Sequence, residues 1–119
     1  MNKNFLLGAT AAALVGATVC APQAAAYTPE EQQFLVAINQ VIPPPRLVDA
    51  VFLKLGYQAC AVMRSGQDTN AAKRAVWETY DTYGYLPLAG AQVGSIVHEA
   101  ADELCPDVDY WELYRQSQS

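Results

Sequence analysis

Apolar residues recur along most of this chain at spacings of three and four, the repeat of helices that bury one face. In "TPEEQQFLVAINQV" the residues Phe34, Leu35, Ile38 and Val41 fall on one side. Thr28 precedes Pro29 and stands three residues before Glu31, which gives a capping box and a proline in the first turn. These signals predict a helix over residues 29–41. "IPPPR" stops it, because three consecutive prolines lack donor N–H groups and favour an extended turn.

The stretch "LVDAVFLKLGYQACAVM", residues 47–63, has only Asp49, Lys54 and Gln58 as polar residues, and they do not share a face. A helix that is apolar nearly all round belongs at the centre of a bundle, and Gly66 supplies its end. Asp68 or Thr69 caps a third helix, "NAAKRAVWETYDTY", which places Ala72, Ala75, Val76, Thr79, Tyr80 and Tyr83 on one face before Gly84 stops it. In "LAGAQVGSIVHEAADELC" the residues Val93, Ile96, Val97, Ala100 and Leu104 form a narrow stripe, and Pro106 forbids continuation past Cys105. The tail "DVDYWELYRQSQS" adds a short helical turn that groups Tyr110, Leu113 and Tyr114, with the last five residues frayed. Strand signals are almost absent. The fold class is therefore all-α, a small single-domain bundle of about four helices over residues 27–119.

The start of the chain follows a different pattern. "MNKN" is followed by residues 5–19 without a charge, and Ala24 and Ala26 form the A-x-A pattern of a secretory signal peptide over residues 1–26. The apolar run is too short for a membrane span, which needs about 20 residues. Cleavage is expected between Ala26 and Tyr27. A lipid-anchored alternative at Cys20 would place a small residue just before the cysteine, whereas Val19 stands there. Removal of Cys20 leaves two cysteines in a secreted domain too small to hide much of its surface, and they read most simply as one disulfide between Cys60 and Cys105. Two buried free thiols are the alternative.

Charge narrows the partners. Loss of Lys3 leaves six Lys and Arg against twelve Asp and Glu, so the mature chain carries no basic footprint for nucleic acid or anionic lipid.

The segments "QQFL", "GYQACAVMRSG" and "ELCP", behind an A-x-A leader, give the chain a resemblance over residues 30–107 to the domain of unknown function 732 family, small secreted proteins of mycobacteria and related actinobacteria. The resemblance implies an all-helical domain with Cys60 bonded to Cys105. It implies no chemistry, because the family's activity is unassigned. "VIPPPR" departs from it where a glycine-containing turn is expected.

Candidate chemistry is sparse. "HEAAD", His98 to Asp102, resembles the H-E-x-x-H zinc motif but has Asp102 in place of the second histidine, and the chain has a single histidine. It reads as a surface histidine beside a carboxylate. Ser65 and Ser95 lack any nucleophile signature around them, and the acidic group Asp102, Glu103, Asp107, Asp109 and Glu112 lacks the glycine and ligand spacing of a calcium loop. No catalytic residue, metal or cofactor is assigned. Aromatics remain: Trp77, Tyr80, Tyr83 and Tyr85 near the end of the third helix, and Tyr110, Trp111 and Tyr114 in the tail. Trp77, Tyr80 and Tyr83 are the candidate ligand or partner surface. The expected function is a secreted, non-enzymatic protein-interaction or envelope component with an unknown protein partner; the alternative is a carrier of haem or another small apolar ligand between helices.

Overall fold

The computed structural model describes residues 27–119. The leader, its cleavage site and the lipidation question at Cys20 lie outside the described residues. Five helices follow in order: α1 Pro29–Val41, α2 Asp49–Arg64, α3 Thr69–Asp81, α4 Gly90–Glu103 and α5 Tyr110–Ser117. Among the described residues there is no strand, and none of the helices is long and apolar enough to cross a membrane.

Local chemistry explains most of the boundaries. The Thr28 hydroxyl accepts from the Glu31 N–H at 3.1 Å while the Glu31 carboxylate accepts from the Thr28 N–H at 2.9 Å, which closes the capping box of α1. The proline turn after α1 contains a cis peptide between Pro44 and Pro45. Arg46 then holds the start of α2. Its guanidinium bonds Asp49 at 2.7 Å and lies over the Phe52 ring at 5.0 Å. The helix begins two residues later than the hydrophobic run, since Val48 is extended at its N-cap position. Asp68 is the cap of α3 and accepts from the Ala71 N–H at 2.9 Å.

α2 lies at the centre and packs against α1, α3 and α4. It buries Phe52, Leu55, Ala59 and Cys60 into one core shared with Phe34 and Ile38 of α1, Val76 of α3, and Val93 and Ile96 of α4. At Gly56 side chains of α1 and of the end of α4 press close against α2. A Cβ there would lie 2.8 Å from both the Phe34 ring and a Leu104 methyl, so a side chain at this position would overpack a filled core. Four residues on, Cys60 is bonded to Cys105 across 45 positions with a Cα–Cα distance of 5.9 Å, clamping the exit of α4 to α2 one turn before its end. In the chain-entropy description such a loop stabilises the fold by about 4 kcal/mol.

Two features depart from the sequence reading. α3 ends at Asp81, and Gly84 takes a positive φ of 64° in the turn that follows. Tyr83 therefore lies beyond the helix and does not continue its buried face. The tail, read as one turn with five frayed residues, is an eight-residue helix through Ser117. Asp109 caps it by accepting from the Glu112 N–H, Leu113 is buried, and Thr69 and Asn70 of α3 hydrogen-bond Ser117. These long-range bonds supply ends that an eight-residue helix cannot hold by itself.

Candidate functional site

The covalent clamp organises the end of the molecule where side chains remain uncommitted. Pro106 follows Cys105, and the chain turns through Asp107 and Val108 into α5. Arg64, in the last turn of α2, donates to both Asp107 oxygens at 2.9 and 2.7 Å, and this bond holds the Asp107 carboxyl below its usual range. Leu113 anchors the inner side of α5. Tyr110, one turn before Leu113, also packs against the core, and Trp111 and Tyr114 continue from it around the helix to the open side.

That side meets His98 of α4. The imidazole centroid lies 4.7 Å from Tyr110 and 5.6 Å from Trp111. Trp111 stands edge-on to Tyr110 at 5.0 Å and to Tyr114 at 5.7 Å, while Tyr110 and Tyr114 stack at 6.2 Å. Edge-to-face and offset contacts suit the ring quadrupoles. The cluster is ordered yet open: Tyr110 is half-buried, Trp111 is 58% exposed and Tyr114 is 40% exposed. Burial raises the Tyr110 hydroxyl pKa, with the Tyr114 and Asp102 charges adding to it.

Carboxylates border these rings. An Asp102 oxygen is 3.6 Å from His98 Nε2, and His98, Glu99 and Asp102 offer donor atoms within 4.8 Å of one another. These are the residues that could approach a cation. All three come from one helix, with Asp102 exposed and His98 and Glu99 partly buried, and the histidine ring is packed against Tyr110 and Trp111 of α5. This arrangement supports the reading of "HEAAD" as a histidine with a neighbouring carboxylate. Glu99 beside it is partly buried. Desolvation raises its carboxyl pKa, opposed by His98 and reinforced by Asp102 and Glu103.

The other acids of the group are dispersed over separate tasks. Asp107 is held by Arg64, Asp109 caps α5, and Glu112 pairs with Arg115. Ser65 donates to the Val62 carbonyl at 2.6 Å at the end of α2. Among the described residues no hydrogen bond joins His98 to Ser65 or Ser95.

The residues assigned from sequence as a ligand or partner surface are not brought together. Tyr80 is 2% exposed, packs against Phe52 at 6.3 Å and donates its hydroxyl to the Leu86 carbonyl at 2.7 Å. Trp77 follows the buried Val76 by one residue, a rotation of about 100° around α3. It is consequently 39% exposed, on an outward face with Asn70, Lys73, Arg74, Glu78 and Asp81. Tyr83 is exposed in the loop. None of the aromatic pairs among the described residues joins these three. The hollow beside Tyr80, between the proline turn and the α3–α4 loop, measures about 140 Å³, below the roughly 300–1,000 Å³ typical of small-molecule sites, while the open groove beside Trp77 measures about 600 Å³ but is lined otherwise by polar and charged side chains.

Sequence reasoning recognised Tyr110 and Tyr114 as neighbours but missed their contact with His98. That contact depends on how the chain turns after Cys105 to lay α5 against α3, which no local pattern in the sequence announces. Comparison of the chain with protein-family models, with curated proteins and with solved structures gave no match.

Proposed function

We propose that this chain is a secreted, non-enzymatic helical module that binds another protein through the aromatic face formed by α4 and α5. The observation that carries the reading is Trp111, an indole left 58% exposed although it is fixed by ring contacts to His98, Tyr110 and Tyr114. Pre-ordered aromatics lose little entropy on binding, and exposed Trp and Tyr dominate the energetic centres of interfaces. The isolated exposed Val36 and Val48 need no such account.

Two further observations support parts of the proposal. The leader pattern and a disulfide fit an oxidising compartment. The commitment of the sole histidine to aromatic packing favours binding over catalysis. The resemblance to the domain of unknown function 732 family adds a secreted location and no activity.

The test is photocrosslinking in the native host. A benzophenone side chain in place of Trp111 should give a discrete adduct with one protein, and the same group in place of Val48 should not. Equal labelling from both positions, or none from Trp111, would contradict the proposal.

A further inference from the structure

The aromatic face lies in the most one-sided electrostatic region of the chain. Between Arg74 and Arg115 there is no lysine or arginine, while Glu78, Asp81, Glu99, Asp102, Glu103, Asp107, Asp109 and Glu112 all occur there. Arg64 and Arg115 neutralise Asp107 and Glu112 from outside that span. Glu99, Asp102 and Glu103 have no Lys or Arg partner among the described residues.

Their placement is locally unfavourable. α4 ends at Glu103 with no basic residue in its last turn, where the helix dipole is negative and cations are the stabilising choice. Glu99 with Asp102 and with Glu103 are like-charge pairs at i,i+3 and i,i+4, which also weaken a helix. A sequence that breaks local rules at one place does so most often where function requires it. The same turn borders His98, whose ring contacts Tyr110 and Trp111. Asp102, which has no Lys or Arg partner, thus faces His98 and Tyr110 beside the open rings, and carboxylate and rings attract the same chemical group: a guanidinium or ammonium seated over a ring with a carboxylate beside it.

We infer that the α4–α5 face binds an arginine- or lysine-bearing segment of a partner protein, whose cation rests on Trp111 and Tyr114 and is balanced by Asp102 and Glu99. This rests on the protein-binding reading above and adds the chemistry of the partner. Arginine is favoured over lysine because its planar group stacks on rings and also bonds a carboxylate side-on. The rest of the segment needs only an extended or helical form with few acids.

The test is a nuclear magnetic resonance titration of the full mature chain, disulfide intact, with an octapeptide of alternating glycine and arginine. Its citrulline counterpart is the neutral control of nearly equal shape. The expected result is shifts of the Trp111 indole N–H and of the backbone at residues 98–103 and 110–114. The Trp77 indole should stay in place. Binding should weaken about tenfold with citrulline, the scale of one cation–aromatic contact, and should fall with added salt. The variant carrying Glu99→Gln, Asp102→Asn and Glu103→Gln should bind the arginine peptide about tenfold more weakly. Its melting temperature should hold or rise, since like-charge pairs are removed, so weaker binding would not reflect unfolding.

Equal binding of the two peptides at these residues would overturn the cationic partner and leave the aromatic face as a docking surface. Shifts centred elsewhere, or none from either peptide, would overturn the cationic partner, while the protein-binding reading stands or falls by the crosslinking at Trp111. Concentration-dependent broadening of the free chain at Trp111 together with Lys73 and Arg74 would assign the face to a second copy, and likewise overturn the inference.

Discussion

Tyr80 on α3 and Trp111 on α5 are both large amphipathic aromatics, yet one is 2% exposed and the other 58%. Tyr80 lies on Phe52 of the central helix and gives its hydroxyl to a backbone carbonyl, so its ring and polar atom are both absorbed by the fold. Trp111 makes its ring contacts with residues that are themselves partly open to water. The difference teaches that ring contacts by themselves do not distinguish core from surface. What distinguishes them is whether a second layer closes over the rings, and α5 is the last helix, with nothing packed on its outer side among the described residues.

The contrast can be broken by mutation, and the largest effect is expected at its buried pole. Tyr80→Ala should lower unfolding free energy by about 3–5 kcal/mol through cavity formation, whereas Trp111→Ala should stay within about 1 kcal/mol. Urea denaturation of both variants measures this. Comparable losses would show that Trp111 is a structural residue and would remove the basis for a binding face.

Opening the clamp comes next. Replacing Cys60 and Cys105 together by serine should cost about 2–4 kcal/mol. Because the clamp fixes the exit of α4, the substitution should also loosen the His98–Tyr110–Trp111 contacts, visible as a red shift in the Trp111 emission read in a Trp77→Phe background. A stability loss without that shift would mean that α5 is positioned by Leu113 and the Ser117 bonds instead. Gly56→Val tests the same region from within, since its methyls would meet Phe34 and Leu104; the expected loss is about 2 kcal/mol, and a neutral result would show that α1 and the α4 exit can move apart freely.

The smallest effect comes from a polar pair at the surface. The Tyr57 hydroxyl donates to Glu31 at 2.6 Å. That bond first, then burial and the charges of Glu31 and Glu30, push the Tyr57 pKa up to about 12. A group whose pKa is raised by folding contributes fully below its unfolded value, near pH 10, and the contribution is lost as pH rises through about 12. The same bond holds the Glu31 carboxyl below its usual range, so that part of the stability is present above the unfolded carboxylate pKa and is lost as pH falls through the folded one. Exposure limits the total to less than about 1 kcal/mol. Tyr57→Phe should flatten both limbs of the stability–pH curve; limbs as steep as in the parent chain would remove the pair from the account.

The elements of the fold were largely legible from residues acting over short range. Thr28 with Glu31, the proline run and Asp68 announce their helix ends locally, and Ala72, Val76 and Tyr80 reveal the buried face of α3 by spacing alone. Under the expectation of a leader that ends at Ala26, the two remaining cysteines pointed to one bond, and that bond is present. What was not legible depends on contacts distant in sequence. The length of α5 relies on Thr69 and Asn70 reaching Ser117. The grouping of Trp77, Tyr80 and Tyr83 failed because one step around α3 separates core from solvent and because the helix ends before Tyr83. The α4–α5 face was half visible as a cluster of aromatics in the tail, but its pairing with His98 requires knowing that the chain doubles back at Pro106.

The central claim is that binding runs through Trp111 and not through the other exposed indole, Trp77. Its most direct measurement is the affinity of the partner identified by crosslinking for folded Trp111→Ala and Trp77→Ala chains, compared in one titration series. The account predicts a loss of about 30-fold or more for Trp111→Ala, the scale of an interface hot spot, and a change within about twofold for Trp77→Ala, the scale of a residue outside the contact. A loss on Trp77→Ala with Trp111→Ala unaffected would contradict it and move the functional surface to the outward face of α3.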